Sequence, residues 1–502
     1  MPCENLLNNM NPFFLFALLL LSGFSAYVLR TERQVRGTSL FFTALVAGLT
    51  LVTAYHGLLL PLSFGPDEMW HVDAPAALLL ALAALLFTLA GVVSYRYISA
   101  EHKRGILSLS DVRLYYLLFP TFFLTLLAAI MANSIIVLWI AMEGTTLVTA
   151  FLVALYRRKS SLEAAWKYVL LCSIGIGLSL TGLVLMAFAF KTAGLVGNAP
   201  FLITILTTTA GSPMVNSALV KLAFVFLMVG FSTKIGLVPV HTWLPDALSK
   251  TPSPVGALFS GILLPVGLVT LLRFKLIVDI VLQSTHWTDV FFLVFGLMSI
   301  LLPACLLAVQ HNYKRVLAYA TIVHMGLMVF AIGLGPSVIT PVFMHLPVFS
   351  LLLSAGFFLS GEVILHAHST NIEILKGLAK KMPITSALLF FVLIMTLALP
   401  PGGLFISQLL ILAKGLGEHV VMTLIALAGM MLFFGAIMRI AFVMFFAEDE
   451  AEDISPKEHR TTLTHAVAVL EIGVAIFLGA AYLLPQTLRF FETLTHPLTV
   501  GL

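Results

Sequence analysis

Charge is what this chain of 502 residues has least of: Asp, Glu, Lys and Arg make up 10% of it, against 60% hydrophobic residues. Soluble chains carry about 25% charged residues, so a water-exposed fold cannot hide this much apolar surface, and the mean hydropathy of +1.06 points the same way. The chain reads as a polytopic membrane protein with no soluble domain. Cysteine is scarce as well. Cys3, Cys172 and Cys305 have neither metal-ligand spacing nor the makings of a disulfide framework, which leaves the redox compartment undecided. Also missing are a nucleotide-binding glycine loop, a nucleophile elbow and an iron-sulfur cysteine cluster. No catalytic site, metal or cofactor of its own is therefore expected, and any energy source lies in partner subunits or the proton gradient.

Basic residues are few, and their placement carries the topology. Apolar windows of bilayer length fall near 12–30, 38–61, 74–95, 113–131, 134–156, 164–190, 218–240, 255–272, 288–309, 315–334, 339–365, 384–413, 418–446 and 463–484, about fourteen helices. The fold expected is all-α. The first window lacks basic residues ahead of its apolar core and reads as a retained helix. One set of loops holds Arg30, Arg33, Arg36, Arg96, Lys103, Arg104, Arg113, Arg157, Arg158, Lys159, Lys167, Lys250, Lys314, Arg315, Lys376, Lys380, Lys381, Lys457 and Arg460. The opposite set holds Lys191, Lys221, Arg273, Lys275, Lys414 and Arg489. By the positive-inside rule both termini lie on the outer side. The net charge of +4 thus reflects topology and contacts with anionic lipid headgroups; nucleic acid is not an expected partner.

The stretch 219–272 organises the rest. Lys234 sits inside an apolar run and is followed at once by Gly236 and Pro239, which loosen helical hydrogen bonding. A lysine in mid-membrane costs about 2.5–3.5 kcal/mol, so it faces protein or a wet path and has a partner. The twelfth window breaks in the same way at Pro400-Pro401-Gly402-Gly403, five windows after the seventh. Paired broken helices at matching places are the sequence sign of an inverted repeat in a transporter. The expected organisation is 1–112 for helices 1–3, 113–272 for a first repeat, 273–446 for a second, and 447–502 for an acidic loop with helix 14.

Glu143, followed by Gly144, is the other mid-membrane charge of the first repeat. A glutamate and a lysine that both avoid lipid meet most economically inside one bundle, where each stabilises the other's charged form. If that contact is disturbed, Lys234 can release its proton and reload, which an arginine cannot do. The alternative is a static ion pair holding two helices in register. His324 and His345 lie within apolar spans and suit a proton wire, since imidazole donates at one nitrogen and accepts at the other; they could equally be helix-to-helix hydrogen-bond partners. His241, at the exit of the seventh window with Asp246 close behind, is a candidate proton portal. His366 and His368 have no third metal ligand nearby, and Glu471 and Arg439 read first as packing residues. The acidic run Glu448–Asp453 reads as a solvated loop, and 191–217 as a surface helix or re-entrant piece.

Several of these stretches resemble a known family. Lys234 with VPVHTWLPDAL and TPSPVGALFSGILL, followed by HNYKRVLAYATIVHMG, resembles the antiporter-like proton channel subunits of respiratory complex I, Mrp-type sodium/proton antiporters and membrane-bound hydrogenases. The run RKSSLEAAWKYVLL is most similar to the F subunit of hydrogenase-4. The resemblance implies a fourteen-helix fold with two inverted five-helix units and broken helices 7 and 12. It also implies residence in the inner (plasma) membrane as one subunit of a larger complex. By the same resemblance, Glu143 and Lys234 stand where the family places its ion pair, and His324 and His345 where it carries channel histidines. The chain departs from the family at Pro265 after GILL, at Phe349 and Leu353 in the eleventh window, and at Gln408 after the second break. None of these can titrate.

Three functions are consistent with this pattern. The first is a subunit of a multisubunit redox-linked complex that moves protons through the Glu143–Lys234 relay. The second is a transport-inactive scaffold that keeps the fold to anchor partners. The third is the membrane half of an inorganic-carbon uptake complex, with a zinc-dependent soluble partner that hydrates carbon dioxide.

Overall fold

The computed structural model describes residues 12–447 and 462–499, so the acidic run 448–453 and Cys3 lie outside the described residues. The described chain is nearly all helix, and twelve of its helices are long and apolar enough to cross a membrane. Two shorter apolar helices, Phe13–Val28 and Pro383–Thr396, cover the first window and the front half of the twelfth. The fourteen windows of the sequence thus all appear as helix.

Two compact units share the chain, residues 1–227 and 228–502. The first contains α1 (Pro12–Val28), α2 (Glu32–Leu59), α3 (Ala74–Lys103), α4 (Leu109–Met131), α5 (Ile135–Val153) and α6 (Lys159–Thr192). Within it α2 packs on α3, α1 on α4, and α4 on α5, which in turn packs on α6. Capping boxes start α2 and α4: Thr31 pairs with Gln34, and Ser108 with Asp111, so two amides at the start of each helix are satisfied. Phe87 stacks on Phe119 and Phe123 at the α3–α4 contact, with ring centroids 4.9 and 3.8 Å apart. A small hairpin, Leu62–Phe64 with Trp70–Val72, joins α2 to α3 and was not expected from the apolar pattern. Asn133 ties this end together, donating to the Glu68 carbonyl at 2.9 Å and to Thr204 Oγ1 at 3.0 Å. The stretch 191–217 contains a 3-10 turn, Ala199–Phe201, and a short α-helix, Ile203–Thr209, where a surface helix or re-entrant piece was expected.

The second unit begins inside α7 (Ser217–Ile235). It continues through the short helix Trp243–Lys250, then α8 (Ser253–Leu282), α9 (His286–Leu307), α10 (Tyr313–Ile332) and α11 (Ile339–Ala367). The two halves of α12 (Pro383–Thr396 and Gly403–Glu418), α13 (Val420–Phe446) and α14 (Leu463–Ala481) complete its membrane helices. An amphipathic segment, α15 (Pro485–Thr495), follows. The most apolar windows of α8 and α11 are wholly buried, so these helices form the core of the unit. Around α11 pack α10, α14, the start of α8 and both halves of α12. A side chain on α11 therefore meets protein on every side, which is why its polar residues decide what the unit can do.

Candidate functional site

Helix α7 ends one residue after Lys234, and the chain around the break is fully engaged. Gly236 adopts a φ of +78°, a left-handed conformation that glycine reaches without penalty. That turn lets the amides of Gly236 and Leu237 both donate to the Ser232 carbonyl, each at 2.9 Å. The indole of Trp243 donates to the Thr233 carbonyl at 2.8 Å, and the Val238 amide donates to Ser299 Oγ of α9 at 2.9 Å. A helix can stop here in a membrane only because these backbone groups find protein partners. Lys234 itself is completely buried. Its stem passes over Gly267 of α8, where an added Cβ would come within 3.8 Å of Lys234 Cγ and 3.1 Å of Ile235 Cγ1.

Glu143 belongs to the first unit, on α5. Its Oε1 accepts a 2.6 Å hydrogen bond from Ser173 of α6, and its Oε2 is buried without a hydrogen bond. A carboxylate held at one oxygen keeps the other available to a further donor.

In the second unit the structure brings both predicted channel histidines together. His324 of α10 and His345 of α11 are each completely buried, with His324 Nδ1 3.1 Å from His345 Nε2. His324 Nε2 lies 2.9 Å from the Thr396 carbonyl, where the first half of α12 ends, and His345 Nδ1 lies 3.0 Å from Ser407 Oγ on the second half. A carbonyl only accepts, so His324 Nε2 carries a hydrogen. With both rings neutral, His324 Nδ1 accepts from His345 Nε2–H, and His345 Nδ1 accepts from the Ser407 hydroxyl. The chain Ser407–His345–His324–Thr396 thus runs across the break of α12 in one direction. The carbonyl at its end cannot pass a proton on.

Of the expected departures, Phe349 lies beside this chain. Phe349 and Leu353 are completely buried, and the Phe349 ring centroid lies 5.6 Å from that of His324. Pro265 is buried in α8, and Gln408 Oε1 is buried without a hydrogen bond. His241 is 4% exposed, with Nδ1 buried and lacking a hydrogen bond. Asp246 pairs with Arg315 at the start of α10, and neighbouring Lys314 donates to the Thr251 carbonyl at 2.7 Å. Arg315 and buried Lys314 therefore also anchor the segment that follows the first break. Arg439 donates to the Ala308 carbonyl at 2.6 Å, capping the end of α9. His366 lies 3.8 Å from Glu362, and among the described residues no group of three or more His, Cys, Asp or Glu could hold a metal ion.

Other buried charges escaped the reading of the sequence. Lys275, counted there among the loop residues of one side, lies within α8 and is 4% exposed. It bridges Asp279 at 2.6 Å and Asp289 of α9 at 2.8 Å, and Thr288 donates to Asp279. The Lys275–Asp279 spacing of four residues was the one available hint. In the first unit Tyr156 donates to both oxygens of buried Glu101, at 2.9 and 2.8 Å. Burial first, and then the neighbouring Tyr97 and Glu101, hold the Tyr156 hydroxyl well above the usual tyrosine range. It stays a neutral donor.

Known proteins share this architecture. Residues 132–444 match the family described as NADH:quinone oxidoreductase/Mrp antiporter, TM. The chain is 30% identical over 432 residues to a hydrogenase-4 component F homologue of Methylacidiphilum infernorum, covering 85% of this chain and 88% of that protein. It is 27% identical to the NADH-quinone oxidoreductase subunit N of Halorhodospira halophila, over 86% of this chain and 87% of the other. Among solved structures, a chain of an archaeal membrane-bound sulfane sulfur reductase superposes with a TM-score of 0.84 at 21% identity, covering 97% of each chain. A chain of the Mrp complex from Dietzia does so with 0.80 at 17% identity, again over 97% of each. This multi-pass helical membrane protein belongs to the NADH:quinone oxidoreductase/Mrp antiporter transmembrane family.

Proposed function

We propose that the chain is the proton-moving, antiporter-like subunit of a larger membrane complex, with Glu143 and Lys234 as its exchangeable ion pair. It works beside partner subunits, as its hydrogenase-4 and quinone oxidoreductase relatives are named for doing. The observation that carries the reading is Lys234: a fully buried amine at the end of α7, its stem given room by Gly267. Burying an amine costs desolvation energy that a methionine would avoid, which supports a use for it. The repeats 113–272 and 273–446, the outward termini, His241 as portal and the histidine pair as a second-repeat storage point belong to the same proposal. Lys234→Met and Glu143→Gln, introduced into the intact complex in sealed vesicles, test it. Proton uptake collapses while the complex still assembles; unchanged uptake in both variants would falsify the relay.

The scaffold reading has a specific observation in its favour. Phe349, Leu353 and Gln408 leave three places of the second repeat, and Pro265 one of the first, without the expected titrating groups, and the histidine chain ends on a carbonyl. Under that reading the same variants disturb assembly alone. The masses of co-purifying subunits separate a redox-linked complex from an inorganic-carbon one: iron-sulfur proteins in the first case, a single large zinc protein in the second.

A further inference from the structure

Helix α14 lies outside both repeats, yet it carries a fully buried carboxyl. Glu471 is 0% exposed and faces α11, where Ser354 donates to its Oε1 at 2.5 Å. Its other oxygen, Oε2, is buried with no hydrogen bond, and no cation lies within ion-pair distance of it among the described residues. An ionised carboxylate so placed is expensive, whereas a carboxylic acid costs far less. Ser354 also directly follows Leu353, one of the places where the second repeat lacks a titrating side chain.

About 9 Å along α14 toward its start, a second polar cluster meets the surface. There Thr462 donates to Glu362 at 3.0 Å, and His465 Nε2 lies 2.8 Å from Thr385 Oγ1. Thr462 and His465 line an otherwise apolar groove with Pro383, Ile384, Leu388 and Val469. Along α11 the order is Glu362, then Ser354 about 12 Å further, then His345 about 13 Å beyond that. The polar groups of this seam thus step from the groove toward the histidine pair.

We propose that Glu471 is a proton-holding site on the α11–α14 seam, loaded from the Glu362–His465 cluster and standing in for the titrating residues the second repeat lacks. Uptake forms an O–H bond at Glu471 Oε2 with a proton delivered by hydronium along the groove, leaving water; release breaks that bond and returns the proton to water or to His345. The route to His345 rests on the proton-moving reading, while the protonated carboxyl stands apart from it.

The experiment is infrared spectroscopy of the whole complex in membranes at neutral pH, parent against Glu471→Gln, together with proton uptake by sealed vesicles. The parent shows a carboxylic-acid C=O stretch that shifts in D2O and vanishes in Glu471→Gln, while the variant assembles normally. Uptake falls at least about tenfold in Glu471→Gln and recovers in Glu471→Asp. Absence of that band from the parent overturns the site, as does parental uptake in Glu471→Gln. If the parent itself moves no protons, the proton-moving reading fails, and the band alone decides whether Glu471 holds one.

Discussion

The imidazole of His324 lies 2.9 Å from the Thr396 backbone oxygen, at the point where the first half of α12 stops. Trp243 makes the corresponding contact in α7, with its indole 2.8 Å from the Thr233 oxygen. Each interrupted helix therefore ends against a ring N–H from another segment, which satisfies a carbonyl that water would otherwise have to reach. At α12 the ring doing this is also half of the histidine pair, so one side chain both terminates a helix and holds a titratable nitrogen.

Replacing His324 by Phe keeps ring volume but orphans the Thr396 carbonyl and His345 Nε2. A buried acceptor left unsatisfied costs about 1–3 kcal/mol, so the thermal midpoint of the detergent-purified protein falls measurably. An unchanged midpoint would mean that the ring contributes nothing to the break.

Lys275→Met removes the cation that bridges Asp279 and Asp289. Breaking a buried pair from one side costs about 3–5 kcal/mol, and the loss appears in denaturation of the detergent-solubilised chain. Adding Asp279→Leu and Asp289→Leu to Lys275→Met restores most of it, because the uncompensated charges are then gone. Failure of the triple variant to recover would point to a role in packing rather than in charge balance.

Gly267→Leu fills the space over which the Lys234 stem runs. Overpacking a tight core costs about 1–3 kcal/mol, and here the atoms met first are those of Ile235, with the lysine stem next to them. Proton uptake by sealed vesicles drops further than thermal stability does, whereas Gly267→Ala, which asks Ile235 to yield slightly, shows a smaller version of both effects. Equal uptake in the parent and Gly267→Leu would remove Gly267 from the account of Lys234.

Ser173→Ala takes away the hydrogen bond to Glu143 Oε1. Hydrogen bonds to charged groups contribute about 1.5–3 kcal/mol, so the Glu143 carboxyl loses the contact that fixes its position and uptake slows. Ser173→Thr retains the hydroxyl and keeps the parental rate. The comparison is read in the intact complex, and equal rates for Ala and Thr would show that the serine does not tune the carboxylate.

Much of the fold was legible in the residue order, because a membrane imposes a one-dimensional rule. Every backbone group in hydrocarbon must be paired within its own helix, so apolar runs of bilayer length read directly as helices. Glycine and proline mark where that pairing stops, which is why both breaks, at Gly236 and beyond Thr396, were foreseen. The family was legible for the same reason, through the long motifs around Lys234 and His324. The small hairpin at Leu62–Phe64 was not, since three-residue strands leave no usable period.

What the sequence determined by itself is the number of helices, the places where two of them are interrupted, and the identity of the few polar residues set among apolar ones. Only the tertiary structure decided which of those residues face each other. His324 meets Thr396, Ser354 meets Glu471, and Lys275 meets Asp289 across separations in the chain that no periodicity encodes. The physical reason is that burial makes a polar side chain seek a partner, while helix packing alone determines which one comes within reach.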